Sequence, residues 1–148
     1  MGSWILGPLV VWALAVAVYD VRQRRVPNVL LILLGVPALL AVAVNRHGLL
    51  GAGIWESLGG LVLGAAPLLA GYLIRQVGAG DVKLSALQGF ILGWAGVGKA
   101  LLISGVVLGL MSLAALRWKR KDKPQFKLPA ALALVVGFVG VFLYDSFG

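Results

Sequence analysis

LSALQGFILGWAGVGKALLISGVVLGLMSLAAL, residues 84–116, is apolar almost from end to end, with Lys99 its one charge. As a single straight helix it would run roughly 50 Å, against a bilayer hydrocarbon core of ~30 Å. One crossing would therefore need extreme tilt. Gly96, Gly98 and Lys99 offer a break, which divides the stretch into helices at about 84–97 and 99–116. Working outward, further apolar segments fall at about 4–19, 28–44, 57–74 and 128–144.

Charge supports two passes through 84–116. The loops after the first, third and fifth segments then share one side. They hold Arg22, Arg24, Arg25, Arg75, Lys83, Arg117, Lys119, Arg120, Lys121, Lys123 and Lys127, eleven of the thirteen basic residues. Only Arg46 and Lys99 lie opposite. A single pass would send the 117–127 cluster to the far side. The positive-inside rule thus predicts an all-α, polytopic membrane protein of about six transmembrane helices. Both the N-terminus and the C-terminus lie outside in this reading, and residues 1–148 form a single integral membrane domain.

Composition narrows the chemistry. With 61% hydrophobic and 12% charged residues, an ordinary soluble domain is excluded. Cys is absent, which rules out disulfides, thiolate metal sites and a thiol nucleophile. His47 is the single His, so no metal site and no cofactor is expected. The net charge of +8 reads as loop charge that orients the chain and meets anionic lipid headgroups, with no nucleic-acid partner. The first segment has no basic region before it and is read as a retained helix. Pro27 stands where the second helix begins, and Pro37 and Pro67 are expected to kink theirs. Gly60 and Gly64 form a small-xxx-small stretch expected to pack within the chain. Trp4, Trp55, Trp94, Trp118, Tyr19 and Tyr144 read as interface anchors, and Glu56, Asp122 and Asp145 as solvated charges.

Two acids stand apart. Asp20 lies in Tyr19-Asp20-Val21-Arg22-Gln23-Arg24-Arg25-Val26-Pro27-Asn28, at the C-terminal end of the first helix. Asp81 lies in Gly78-Ala79-Gly80-Asp81-Val82-Lys83, just before the fourth. Both helix ends face the same side. Carboxylates at membrane depth are costly, so a pair of them marks a functional site. Two carboxyls a few ångströms apart share one proton. The ionised one takes a proton from water while the protonated one donates to the carbonyl under attack. That is aspartic peptide hydrolysis. Helix-end dipoles alone would leave the shared proton on Asp20 and the charge on Asp81. Gly78 and Gly80 admit positive φ, and backbone N–H groups there could take a substrate as an added strand. A second reading is a proton-coupled transporter or channel subunit with the two aspartates as proton carriers. Such acids usually lie near the midplane of proteins with paired repeats, and this chain shows neither feature. A third is a non-catalytic membrane scaffold.

These two motifs carry a resemblance. The chain resembles the type IV prepilin peptidases, leader peptidases of the Gly-x-Gly-Asp class of membrane aspartic proteases. The family pattern has an Asp at the end of the first helix, then basic residues and Pro-Asn, here Asp20, Arg22, Arg24, Arg25, Pro27 and Asn28. Its second pattern is Gly-x-Gly-Asp followed by Lys, here Gly78, Gly80, Asp81 and Lys83. Lys127-Leu128-Pro129-Ala130 loosely resembles a later family segment. The resemblance implies an endopeptidase of the inner (cytoplasmic) membrane that removes the basic leader of prepilins or pseudopilins at the cytoplasmic face. It implies Asp20 and Asp81 as the catalytic pair, with Pro27, Asn28, Gly78, Gly80 and Lys83 supporting. Larger family members carry a Cys-containing insertion and also methylate the new N-terminus. Here both insertion and Cys are missing, so N-methylation is not expected and the chain is similar to the minimal form.

Overall fold

The computed structural model describes residues 5–23, 26–75, 77–117 and 130–147. The first helix, α1 (Leu6–Gln23), carries one buried stripe: Leu9, Trp12, Ala13, Val16, Ala17 and Asp20. That spacing of three and four residues is one face of a helix. Val11, Leu14 and Val18, on the other face, stay more than half exposed. Asp20 continues the buried stripe, so the register that packs α1 also turns its last acid inward.

Three more helices follow: α2 (Asn28–Asn45), α3 (Ile54–Leu73) and α4 (Ala79–Arg117); α5 (Ala130–Phe147) closes the bundle. Pro27 caps α2 in an extended conformation, and Pro37 and Pro67 lie inside α2 and α3. The Gly53 N–H donates to Glu56 Oε2 at 3.1 Å, which starts α3 at Ile54. Glu56 is thus a helix cap as well as a surface charge. Ala79 opens α4, earlier than hydropathy suggested, which places Asp81 in its first turn.

The long stretch does break, but at Gly93 rather than at 96–99. Gly93 has φ 71° and ψ 175°, a conformation essentially reserved for glycine. The chain folds back there. Val97 lies against both Gly89 and Gly64, and Gly64 also meets the Ser85 backbone. The halves 79–92 and 94–117 therefore pack side by side. The break sits where α4 meets the start of α3: a Cβ on Gly93 would lie 3.3 Å from Ala52 Cβ and 3.5 Å from Glu56 Cβ. Gly96, by contrast, stays helical under the Leu92 side chain.

Close backbone approach ties α3 to α4. A Cβ on Gly60 would strike the Gly89 carbonyl, one on Gly89 would strike Gly60, and one on Gly64 would strike the Ser85 carbonyl. The small-xxx-small stretch does pack within the chain. Ser85 Oγ donates to the Gly64 carbonyl at 2.7 Å along the same seam. The second half of α4 meets α5 where Gly137 lies against Ala100 and Ser104. Trp12 joins three elements: its Nε1 donates to the Leu30 carbonyl at 2.7 Å, and its ring meets Phe138 edge-on at 6.3 Å.

Among the described residues, three helical stretches are long and apolar enough to cross a bilayer, at Asn28–Asn45, Ile54–Leu73 and Ala79–Ala114 (the last measured across the Gly93 break), and Ala130–Val141 is a shorter apolar helix. On α2, Val29, Ile32, Leu33, Leu39, Leu40 and Val44 are all more than half exposed, a surface suited to lipid. The described residues build an all-helical fold, and their apolar helices mark a multi-pass membrane protein.

Candidate active site

The site assembles at one end of the bundle. Asp20 is in the last turns of α1, and Asp81 is in the first turn of α4. The fold-back at Gly93 returns the second half of α4 to that end, where Leu108 shares an apolar cleft with Val77 and Ala130. The first turn of α5 completes the cluster.

Asp81 is held locally. Its Oδ2 accepts the Gly78 N–H at 3.3 Å, and its own N–H donates to the Gly78 carbonyl at 3.1 Å. The first bond is the side-chain half of a capping box; Gly78 has no side chain to return it, and its backbone carbonyl takes the Asp81 N–H instead. At 3.3 Å the side-chain bond is long, so it is readily exchanged for another partner. Asp81 and Asp20 lie within electrostatic reach of each other.

Gly80 works by close approach. Neither Gly78 nor Gly80 adopts the positive φ that the motif allows; Gly51 and Gly93 are the positive-φ glycines among the described residues. A Cβ on Gly80 would instead lie 3.2 Å from Val26 Cβ and 3.5 Å from the Val26 nitrogen. This contact joins the two motifs, because Val26 precedes Pro27 and Asn28. Lys83 reaches the same segment, its Nζ 3.5 Å from Asn28 Oδ1. Asp20, Pro27, Asn28, Gly78, Gly80, Asp81 and Lys83 are thus brought into one neighbourhood.

Asp20 differs from Asp81 in its surroundings. It is only 6% exposed, and its carboxyl accepts from the backbone N–H groups of Leu132 and Ala131 at the start of α5. Among the described residues, nothing bonds its Oδ2. The sequence reading missed this use of α5, because backbone donors leave no side-chain signature. It also missed Gln88, 2% exposed with Nε2 unpartnered, two turns from Asp81 on the same helix face.

The remaining expected residues fall elsewhere. Arg22 is exposed beside the site. Trp55 and Trp94 are 85% and 59% exposed at the far end, as interface anchors require. His47 bridges Gly53 in the far-end loop, and Lys99 lies over the Tyr144 ring at 5.0 Å. Trp4, Arg24, Arg25, the cluster Trp118–Lys127 with Asp122, and Leu128-Pro129 lie outside the described residues, as does the side chain of Asp145. Among the described residues, no three His, Cys, Asp or Glu side chains gather as a metal site.

A helical membrane bundle with two acids at one end defines a narrow class of protein. Comparison with protein families narrows it further: the family described as the type IV leader peptidase family matches residues 8–114. The chain belongs to that family, whose members are leader peptidases. No curated protein and no solved structure matches significantly. The matched stretch holds both aspartates and ends before α5.

Proposed function

We propose that this protein is an aspartic endopeptidase that removes the basic leader of a type IV prepilin or pseudopilin at the cytoplasmic face of the inner membrane. The observation that carries the proposal is that Asp20 and Asp81, from α1 and α4, lie at one end of the bundle within electrostatic reach of each other. Family membership supports leader peptidase chemistry. It lends nothing to the reading of the aspartates as proton carriers.

The reaction follows from the pair. A water between the carboxyls loses a proton to the ionised one as its oxygen attacks the scissile carbonyl carbon. The protonated carboxyl gives its proton to the carbonyl oxygen, forming a tetrahedral diol. Return of a proton to the amide nitrogen breaks the C–N bond and releases the leader and the mature pilin. The water supplies OH to one product and H to the other. Gly80 lets the Val26-Pro27-Asn28 segment lie close against the start of α4, and Lys83 and Asn28 hold the α2 entry beside Asp81.

In our reading the chain crosses the membrane six times, with the halves of α4 as separate passes and both termini outside. Arg22, Arg75, Lys83 and Arg117 then lie on the cytoplasmic side with the acids, against anionic headgroups. Incubation of the purified protein with a prepilin in lipid tests the proposal. A shortened product from wild type, lost in Asp81→Ala, is expected; equal cleavage by Asp81→Ala would refute it.

A further inference from the structure

The carboxyl of Asp20 is held by a helix that the family match does not include. We propose that the first turn of α5 is a positioning clamp for Asp20: the N–H groups of Ala131 and Leu132 hold its carboxylate in place and favour its charged form against the burial around it. The catalytic consequence rests on the peptidase reading above, but the clamp can be read without turnover.

Three observations converge. First, α5 starts at Ala130, so Ala131 and Leu132 belong to the first turn, whose N–H groups have no acceptor within the helix. They point along the positive end of the helix dipole, a ready position for an anion. Second, Asp20 is buried and accepts from both. It lies on the α1 stripe that packs against α5, and the Trp12–Phe138 ring contact keeps the two helices in register. Third, its Oδ2 is buried with no partner among the described residues. The clamp occupies part of the carboxylate and leaves one oxygen without a partner among the described residues.

The charged surroundings agree. From α4 the facing titratable group is Asp81. On α1, Arg22 is exposed two residues on. The first turn of α5, Ala130, Ala131 and Leu132, offers no ionisable side chain, so its backbone is what answers the charge of Asp20. Asp20 lies beyond the apolar run 4–19, at the polar end of the bundle. Burial is the largest influence on the Asp20 carboxyl and pushes its pKa up; the two N–H groups oppose that rise by bonding the charged form. Asp20 is then the base that takes the proton of water, and Asp81, with its single long bond to Gly78, holds the proton for the carbonyl oxygen. This reverses the assignment that helix-end dipoles alone suggest.

Proline tests the clamp, since it removes an N–H and is tolerated in a first helical turn. Leu132→Pro deletes one donor, Leu132→Ala keeps the donor and trims the side chain, and Ala130→Pro deletes an N–H that Asp20 does not use. The acid limb of kcat/KM is expected to move up by about 1–2 pH units in Leu132→Pro. It should stay in place in Leu132→Ala and Ala130→Pro. Infrared titration of the Asp20 carboxyl in Asp81→Asn protein, with Asp20→Asn/Asp81→Asn as the blank, reads the same shift with no substrate. An ionised Asp20 at neutral pH, titrating higher once Leu132→Pro is added, supports the clamp. A protonated Asp20 at neutral pH, or a Leu132→Pro titration that overlays Leu132→Ala, overturns it. If Leu132→Pro does not fold, Ala131→Pro and the infrared state of Asp20 in Asp81→Asn alone still decide. A failed clamp with cleavage intact leaves the peptidase reading standing; absent cleavage with a normal infrared shift does the reverse.

Discussion

Gly80→Ala separates activity from stability at this site. Gly80 is in the first turn of α4, and alanine there favours the helix by about 0.5–1 kcal/mol. Against that gain, the new Cβ would sit 3.2 Å from Val26 Cβ and 3.5 Å from the Val26 nitrogen. Carbon atoms settle at roughly 3.5–4.0 Å, so the Val26-Pro27-Asn28 segment must retreat by about 0.5 Å. Overpacking of this kind costs about 1–3 kcal/mol when the neighbours cannot move. Here the neighbour is Val26, only partly buried, so a shift of a few tenths of an ångström relieves the contact, most of the helix gain survives and the displacement falls on the site. Active-site groups tolerate about 0.5 Å of misplacement, and 1 Å can cost about 100-fold. The expected result is a thermal midpoint within about 5 °C of wild type and a kcat/KM about tenfold lower. Adding Val26→Gly removes the atom that is struck and should restore most of the rate. Both quantities come from one preparation, by thermal unfolding in detergent and by prepilin cleavage at several substrate concentrations. Full turnover in Gly80→Ala would refute the argument that close approach of the two motifs sets the geometry.

Other outcomes follow from the same structure. Asp20→Asn and Asp81→Asn should each lower cleavage by at least about 100-fold while leaving the helical circular dichroism unchanged. Gly93→Ala forces a side chain into a glycine-only conformation and should cost about 1–3 kcal/mol, measured as a lower unfolding midpoint in detergent. Gly89→Ala drives a Cβ into the Gly60 carbonyl, backbone against backbone, and should reduce the yield of monodisperse protein far more than Gly98→Ala, where the space is open. EDTA should leave cleavage unchanged, since the chain has no Cys and one His to bind a metal.

Much of this fold is legible in the sequence because lipid imposes simple rules. Apolar run lengths and the lopsided basic residues point to helices and to a break within 84–116. The exact break was not legible. Gly93, Gly96 and Gly98 look alike in sequence, and what selects Gly93 is its meeting with Ala52 and Glu56 from a distant segment. The convergence of Asp20 and Asp81 could be inferred from which helix ends share a side. The role of Gly80 could not, because a glycine used for positive φ and one used for close approach read identically. The burial of Asp20 was available in principle, since it falls on the stripe from Leu9 to Ala17. Its donors on α5 were not, because backbone amides carry no sequence signal and Ala131-Leu132 looks like any apolar helix start.

The central claim is that Asp20 and Asp81 meet at one end of the bundle, and the absence of native Cys makes it directly measurable. Asp20→Cys/Asp81→Cys protein in lipid, treated with a thiol cross-linker short enough to bridge only adjacent side chains, is predicted to form an intramolecular link in high yield. The control Asp20→Cys/Trp55→Cys, which pairs opposite ends, is predicted to form none. No link between positions 20 and 81, with both thiols shown to be reactive, would contradict the account.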